Sequence, residues 1–331
     1  MTDKPRVFVT RRIPEIGLNI IASACEMEVW PDQLPPSYDI IRDKIKDCDG
    51  LVSLLTDRID GPLLDAAPRL KVVSNFAVGF NNIDIPAATE RGIAVGNTPG
   101  VLNDATADMA MVLLLAASRR LVESVDDARG GRWKTWEPVG WLGQELMNRT
   151  LGIVGMGRIG FSVARRCRFG WDMRVLYTDV YQSEPAEKEL GATRVDLEML
   201  LRESDFVSVH TDLNAETKGM FNASRFRQMK KTAVFVNTAR GPLVDQAALA
   251  SALRNGTIFA AGLDVTDPEP LPSEHELYHL PNCIVAPHIA SATVQTRNEM
   301  ARICAENVIG GVTGGVMASL VNQEVARKRR R

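Results

Sequence analysis

The stretch TLGIVGMGRIG, residues 150–160, decides the fold. Gly155, Gly157 and Gly160 match G-x-G-x-x-G, directly after an apolar run typical of a buried strand and directly before the helical pattern IGFSVARRCRFG. The first glycine permits a tight turn, the second lets the backbone approach a pyrophosphate, and the third lets helix and strand pack closely. The free N–H groups at the helix N-terminus favour an anion. The stretch therefore predicts a dinucleotide site.

The next strand pattern ends at an acidic residue, Asp179, which lies 19 residues beyond Gly160. A carboxylate in this position accepts a hydrogen bond from a ribose 2′-hydroxyl and repels a 2′-phosphate. The following residues, VYQSEPAEK, place no basic side chain immediately after it. We therefore expect NAD(H), with NADP(H) as the alternative cofactor.

Strand patterns alternate with helical patterns on both sides of this motif, which predicts two doubly wound parallel sheets of the α/β class. Five strand patterns precede residue 100: RVFVT, MEVW, GLVSLL, LKVVSNFA and IAVGN. Six follow residue 149: TLGIVG, RVLYTD, DFVSVH, AVFVNTA, FAAGLDV and NCIVAPH. Six is the number of strands in a Rossmann sheet.

The segment between the two sets is predicted to be one long helix over residues 103–131, followed by the irregular, tryptophan-rich stretch RWKTWEPVGWLGQELMNRT. Its apolar run, MAMVLLLAA, is shorter than the roughly 20 residues that cross a bilayer. It therefore indicates a buried helix and no membrane partner.

Composition and charge indicate an ordinary globular protein and give no sign of a nucleic-acid or membrane partner. The 331 residues are 45% hydrophobic and 24% charged, and the net charge is −2. The basic tail RKRRR is interpreted as a solvated end. The five cysteines contain no C-x-x-C pair, which indicates neither a disulfide framework nor a metal site and fits the cytoplasm.

Four polar residues follow later strand patterns, where ligands bind in doubly wound sheets. They are Arg240, Asp264, Glu269 and His288. Reducing a 2-keto acid requires a hydride, a proton for the carbonyl oxygen and a contact to the carboxylate. Arginine offers a rigid fork for oxyanions, histidine carries a proton near neutral pH, and a neighbouring glutamate favours the imidazolium. We expect these side chains to meet near the nicotinamide.

The chain resembles the D-isomer-specific 2-hydroxyacid dehydrogenases. The resemblance is carried by GIVGMGRIG, NTARGPLVD, GLDVTDPEP and APHIASAT. The stretches VFVTRRIPEIG, FAVGFNNIDIPAATERGIAVGNTPGVL and NDATADMAMVLLLAASRR are similar to the glyoxylate/hydroxypyruvate reductase branch. The family often has Asp-Asn where this chain has Asn81-Asn82.

The resemblance implies a role for each matching residue. Arg240 orients the substrate, Glu269 pairs with the catalytic histidine, and His288 is the general acid/base. The backbone amides of Val78 and Gly79 bind the substrate carboxylate, and Leu55 belongs to a loop that closes over the substrate. Arg240 and His288 also contact the substrate and the cofactor. The other cofactor contacts that it implies are Thr106, Gly155, Met156, Gly157, Arg158, Ile159, Gly160, Asp179, His210, Thr211, Thr238, Ala239, Asp264 and Ala290.

The resemblance also implies the domain organisation. Residues 1–99 and 289–331 form a discontinuous, flavodoxin-like substrate domain, residues 100–288 form the Rossmann NAD-binding domain, and the active site lies in a cleft between them. Segment 103–148 resembles the part of the family that forms a homodimer.

The activity expected is NAD(H)-dependent reduction of glyoxylate or hydroxypyruvate to glycolate or D-glycerate, with the proton from His288. Two alternatives stay open. One is another D-2-hydroxyacid dehydrogenase, acting on phosphoglycerate, lactate or 2-ketogluconate. The other is a non-catalytic, NAD-binding protein similar to the corepressors of this family.

Overall fold

A computed structural model describes residues 4–328 and divides the chain into two compact units. One unit comprises the chain up to Leu102 together with Ala292 onward, and the other spans Asn103–Ser291. These boundaries fall slightly after the predicted ones, 99/100 and 288/289. The last three residues of the basic tail RKRRR lie outside the described residues.

The strands of residues 4–328 form two parallel sheets. In chain order they are β1 Arg6–Val9, β2 Glu26–Val29, β3 Gly50–Ser53, β4 Val72–Asn75, β5 Ala94–Gly96, β6 Thr150–Val154, β7 Arg174–Thr178, β8 Thr193–Arg194, β9 Phe206–Val209, β10 Val234–Asn237, β11 Ala260–Leu263 and β12 Cys283–Val285.

The α-helices of the same residues connect these strands or cover their faces. In chain order they are α1 Glu15–Ala24, α2 Tyr38–Lys44, α3 Gly61–Asp65, α4 Ile85–Glu90, α5 Asn103–Ser118, α6 Leu121–Arg129, α7 Arg158–Trp171, α8 Glu184–Leu190, α9 Leu197–Glu203, α10 Ala223–Gln228, α11 Gln246–Arg254 and α12 Val294–Thr313.

The first unit contains a five-stranded sheet within the described residues, in the order β2-β1-β3-β4-β5. This is the flavodoxin-like order, so the predicted fold is confirmed for this unit. Helix α12 packs against the sheet very closely: a Cβ on Gly311 would lie 2.3 Å from Cβ of Val72. Strand β4 and the neighbouring strand β3 are buried along their whole lengths, because α12 covers one face and an apolar cluster that includes Ile41 and Leu63 covers the other.

The second unit contains a seven-stranded sheet within the described residues, in the order β12-β11-β10-β9-β6-β7-β8. Starting from β8, this is the Rossmann order 3-2-1-4-5-6 with one strand added. The Rossmann fold is confirmed, but the predicted count of six strands is wrong. The missed strand, β8, consists of the two exposed polar residues Thr193 and Arg194, which show no hydrophobic alternation.

The predicted single helix over residues 103–131 is also wrong, because the structure has α5 and α6 with a break between them. Arg120 adopts the left-handed conformation, with φ of 53°. The backbone N–H of Gln144 donates to the carbonyl of Ser118 at 2.8 Å, so a later segment supplies a partner for the end of α5. The stretch 132–149 contains no helix or strand, as predicted.

No helix among residues 4–328 combines the length and the apolar character needed to cross a bilayer. In the same residues, His, Cys, Asp and Glu side chains form no cluster of three or more suited to holding a metal ion.

Candidate active site

The glycine-rich loop joins β6 to α7 and has the geometry that its sequence predicts. Gly155 has φ of +94°, and a Cβ there would lie 2.6 Å from the backbone nitrogen of Thr211. A Cβ on Gly160 would lie 2.1 Å from the carbonyl oxygen of Gly155. Only glycine therefore fits either position.

The second glycine of this loop faces open space and suits a bound phosphate. A Cβ on Gly157 would meet no atom within 4 Å. Gly157 is the N-cap of α7 and offers no side chain to the first turn. Arg158 and Ile159 form the start of that turn, so the backbone N–H groups at this helix end remain available to an anion. The loop fits the pyrophosphate of a dinucleotide.

Asp179 directly follows β7 and contacts the same loop. Its carboxylate accepts hydrogen bonds from the backbone N–H groups of Met156 at 2.7 Å and Tyr181 at 3.1 Å. Arg194 donates to the backbone carbonyls of Asp179 and Val180, at 2.7 and 3.1 Å. Asp179 therefore holds the glycine-rich loop. Arg194 was missed at the sequence level because β8 was not predicted.

His210 and Thr211 follow β9, next to the glycine-rich loop. The Nε2 atom of His210 lies 2.8 Å from the hydroxyl of Ser208. Desolvation by burial lowers the pKa of His210 to about 3, so its ring is neutral at physiological pH. We infer that His210 supports the loop backbone and transfers no proton.

Thr238 follows β10 and carries a buried hydroxyl whose oxygen has no hydrogen-bond partner among the described residues. Such an atom is costly unless a bound molecule supplies the partner. Thr106 is buried in the first turn of α5, also in the second unit. The orphaned hydroxyl at the carboxyl end of β10 is the second observation that fits a bound cofactor.

Arg240 is held by its neighbours at the end of β10. The side chain of Asn237 donates to the carbonyl of Arg240 at 2.9 Å and accepts from the N–H of Ala239 at 3.0 Å. The guanidinium donates to the carbonyl of Ala239 at 2.7 Å. Burial lowers the pKa of Arg240, and the charges of Glu269 and Asp212 oppose that shift. The arginine therefore lies within electrostatic range of Glu269.

His288 and Glu269 form a hydrogen-bonded pair, with Nδ1 of the imidazole 2.8 Å from a carboxylate oxygen of Glu269. The other carboxylate oxygen accepts the N–H of Thr266 at 3.0 Å. Burial raises the pKa of Glu269, but the hydrogen bond and charge of His288, the Thr266 N–H and the charge of Arg240 outweigh it, so the pKa is lowered overall. Glu269 is consequently an anion at neutral pH.

His288 adopts an uncommon backbone conformation, with φ of 54°. Asp264, at the end of β11, binds the next two residues: its carboxylate accepts the N–H groups of Ile289 and Ala290, both at 2.8 Å. Burial raises the pKa of Asp264, opposed by these two N–H groups and by His288. Asp264 thus fixes the segment that positions the imidazole.

The other histidines of the last segment have structural positions. His275 caps the short 3-10 helix Glu276–Tyr278 by accepting the N–H of Leu277 at 3.2 Å. His279 follows the end of that helix. Of the histidines after residue 270, His288 is therefore the one paired with a carboxylate.

In the first unit, the loop after β4 carries the two predicted amides. The carbonyl of Ala77 accepts the N–H of Thr98 at 2.9 Å, and the carbonyl of Val78 accepts the side-chain amide of Asn97 at 2.8 Å. In a trans peptide the N–H of the next residue points the opposite way. The N–H groups of Val78 and Gly79 therefore point away from Thr98 and Asn97, and neither donates a hydrogen bond within residues 4–328.

Leu55 lies in a turn after β3 and is partly exposed, at 37%. The N–H of Asp57 donates to the carbonyl of Leu54 at 3.0 Å, and the N–H of Leu54 donates to the Asp57 carboxylate at 2.8 Å. That carboxylate also accepts the hydroxyl of Thr10. Burial raises the pKa of Asp57, opposed by these donors and Arg11. We call residues 54–57 the Leu55 turn.

The glycine-rich loop and the histidine–glutamate pair are features of a dinucleotide-dependent oxidoreductase. The model of the D-isomer specific 2-hydroxyacid dehydrogenase NAD binding domain matches residues 111–290, more than half of the chain. The chain therefore belongs to the D-isomer specific 2-hydroxyacid dehydrogenase family, whose matched domain binds a nicotinamide cofactor.

Full-length relatives support the same assignment. The chain is 53% identical to a glyoxylate reductase from Korarchaeum cryptofilum, with 98% of each chain covered. It is 50% identical to a glyoxylate reductase from Thermococcus kodakarensis, with 99% of each chain covered. Among solved structures, the TT0316 protein from Thermus thermophilus matches with a TM-score of 0.90 at 44% identity, over 96% of this chain and 99% of that one.

Proposed function

We propose that this enzyme reduces glyoxylate to glycolate, and hydroxypyruvate to D-glycerate, with NADH. The observation that carries the proposal is the pairing of His288 with the anionic Glu269 at 2.8 Å, within electrostatic range of Arg240. The identity of about half the residues with glyoxylate reductases over nearly the whole chain supports the choice of substrate.

The glycine-rich loop and Thr238 would hold a reduced nicotinamide dinucleotide, which would supply a hydride for the carbonyl carbon. His288 donates a proton to the carbonyl oxygen, which would otherwise develop a negative charge. Glu269 accepts from Nδ1 of the ring, so it fixes the ring and leaves Nε2 as the nitrogen that faces the substrate. Arg240 binds the oxyanions of the keto acid through its fork.

In the first unit, we propose that the N–H groups of Val78 and Gly79 bind the carboxylate of the keto acid. Their preceding carbonyls are held by Thr98 and Asn97, so both donors are oriented before any ligand arrives. Pre-oriented donors bind an anion without a cost for reorganisation. The Leu55 turn contributes the apolar side chain that covers the substrate.

We propose NAD(H) as the preferred cofactor because of Asp179. Its carboxylate lies within hydrogen-bonding reach of the glycine-rich loop, where it disfavours a 2′-phosphate by charge repulsion. Arg194 is nearby, but its guanidinium is held on two backbone carbonyls. NADP(H) is expected to be the weaker cofactor.

We propose a homodimer formed through segment 103–148. Large apolar side chains of this segment are exposed, including Trp133 at 70%, Trp136 at 79%, Val139 at 77% and Leu142 at 62%. Patches of this kind mark association surfaces, and two-fold dimers are the most frequent oligomers.

We also propose a reducing compartment, the cytoplasm. All five cysteines are free. Burial raises the pKa of Cys48 to about 11 and of Cys167 to about 12, so these thiols stay protonated and unreactive.

The activity is tested by following NADH oxidation with glyoxylate, hydroxypyruvate and pyruvate in parallel. We expect turnover with the first two acids and a lower kcat/KM with pyruvate. Absence of turnover with all three acids would reject the proposal and favour a non-catalytic, NAD-binding protein.

A further inference from the structure

Asn82 makes an unusually complete set of side-chain hydrogen bonds in the first unit. Its amide nitrogen donates to the carbonyl of Leu54 at 3.0 Å and to the carbonyl of Asp57 at 3.0 Å. These carbonyls belong to the two ends of the Leu55 turn. A single NH2 group therefore holds the turn at both ends.

The same side chain is linked to the loop that carries the Val78 and Gly79 amides. The amide nitrogen of Asn75 donates to the carbonyl of Gly79 at 2.9 Å and to the side-chain oxygen of Asn82 at 3.2 Å. The side-chain oxygen of Asn75 accepts the hydroxyl of Ser53 at 3.0 Å. Asn75 and Ser53 end the buried strands β4 and β3, so this link is anchored in the sheet.

The backbone of Asn82 adds a further connection. Its carbonyl accepts the N–H of Ile59, just after the Leu55 turn, at 2.9 Å. The turn and the Val78–Gly79 loop are therefore joined by one residue, through its side chain and its main chain. Hydrogen bonds among half-buried amides of this kind fix one arrangement, since an unpaired group would be costly.

We propose that Asn82 is a positioning residue for substrate binding: it sets the place of Leu55 relative to the N–H groups of Val78 and Gly79. This inference depends on the proposed function, in which those amides bind the substrate carboxylate and Leu55 covers the substrate. Asn82 itself touches no reacting atom. Its effect is on the geometry of the two loops before the keto acid binds.

The chemistry at Asn82 requires an amide. An aspartate would have the same shape but no N–H donors, and its carboxylate would face the carbonyl oxygens of Leu54 and Asp57, which are also negative. Alanine would remove the donors without adding charge. The two substitutions therefore separate loss of the connection from charge repulsion.

The chain offers a matched control in the adjacent residue. Asn81 is exposed, and Asn81→Asp makes the same chemical change one residue away, restoring the Asp-Asn pair that is frequent in the family. A negative charge near the loop is thus present in Asn81→Asp, while the hydrogen bonds of Asn82 to the Leu55 turn are kept.

The test is steady-state kinetics of wild type, Asn82→Ala, Asn82→Asp and Asn81→Asp, with glyoxylate and NADH each varied. We expect Asn82→Ala to raise the KM for glyoxylate at least about tenfold, as loss of loop placement does. The KM for NADH should change by less than about twofold, since NADH is bound by other residues. The KM for glyoxylate should rise further in Asn82→Asp than in Asn82→Ala. In Asn81→Asp it should resemble that of wild type.

Several results would overturn the inference. An unchanged glyoxylate KM in Asn82→Ala, in an active wild-type background, would reject the positioning role alone. Equal increases in both KM values together with a lower thermal midpoint would assign Asn82 a general structural role instead. A wild-type enzyme with no turnover would reject the proposed function and this inference with it. If Asn82→Asp does not fold, the KM for glyoxylate of Asn82→Ala, which is neutral and smaller, still tests the inference.

Discussion

Nδ1 of His288 lies 2.8 Å from a carboxylate oxygen of Glu269, although the two residues follow different strands of the second sheet. Asp264 holds the two residues after His288 by their N–H groups, and Thr266 donates its N–H to Glu269. The orientation of the imidazole is therefore determined by three residues that follow β11, namely Asp264, Thr266 and Glu269, next to the end of the neighbouring strand β12.

Removing the imidazole tests the proton transfer that we propose for His288. His288→Ala is expected to lower kcat for glyoxylate reduction by about 100-fold or more, the usual effect of losing general acid–base catalysis. NADH binding, measured by fluorescence, should stay close to wild type. His279→Ala is the matched control, because His279 lies at the end of a short helix. Near wild-type turnover in His288→Ala would contradict the role assigned to it.

Glu269→Gln should lower the rate of reduction. The glutamine keeps an acceptor for the N–H of Thr266 but removes the carboxylate that Nδ1 of His288 contacts. Because a neutral amide holds the imidazole less strongly than a charged acceptor, kcat for glyoxylate should fall by about tenfold. A kcat equal to that of wild type would show that the charge of Glu269 is not used.

The same pair should influence stability at acid pH. The pKa of Glu269 is lowered by the folded structure from its usual 4.5. The carboxylate therefore stabilises the folded state above pH 4.5, and this contribution is lost as the pH falls through the lower folded-state pKa. Urea unfolding of wild type and Glu269→Gln should thus converge at low pH and differ at neutral pH. If the difference in unfolding free energy between the two proteins is the same at every pH, the carboxylate does not make this contribution.

Asp179→Asn should weaken the preference for NADH. The amide keeps the shape and one acceptor oxygen but no longer repels a 2′-phosphate. We expect the ratio of kcat/KM for NADH over NADPH to fall by about tenfold, the equivalent of about 1.4 kcal/mol. Asp172→Asn, at an exposed position after α7, is the control. An unchanged ratio would move the selectivity to another residue, with Arg194 as the next one to substitute.

Segment 103–148, which carries the exposed tryptophans, should mediate the association of two copies of the chain. Sedimentation velocity of the wild-type chain is expected to give a dimer, and the double variant Trp136→Glu/Val139→Glu a monomer, because charges in a buried apolar contact are unfavourable. Val316→Glu is the control, since Val316 is 94% exposed in the first unit. A monomeric wild type would reject the homodimer.

The glycine-rich loop and the strand-end residues could be predicted because parallel strands bring their carboxyl ends to one edge, so position along the chain determines position in the sheet. The break between α5 and α6 at Arg120 could not be predicted, since it involves a hydrogen bond from the N–H of Gln144 to the carbonyl of Ser118, far apart in sequence. The roles of Asn75 and Asn82 were missed for a related reason. Hydrogen bonds between loops far apart in sequence leave no periodicity to detect.

The close contact between Gly311 of α12 and Val72 of β4 has a consequence for synthesis on the ribosome. The strands of the first sheet are translated early, but the helix that covers them follows the entire second unit. Translation adds about 5–20 residues per second, so one apolar face of the nascent sheet stays exposed for roughly 10–40 s before α12 is synthesised. The inserted unit can fold meanwhile, so the first sheet, although it is translated before the second unit, is completed after it.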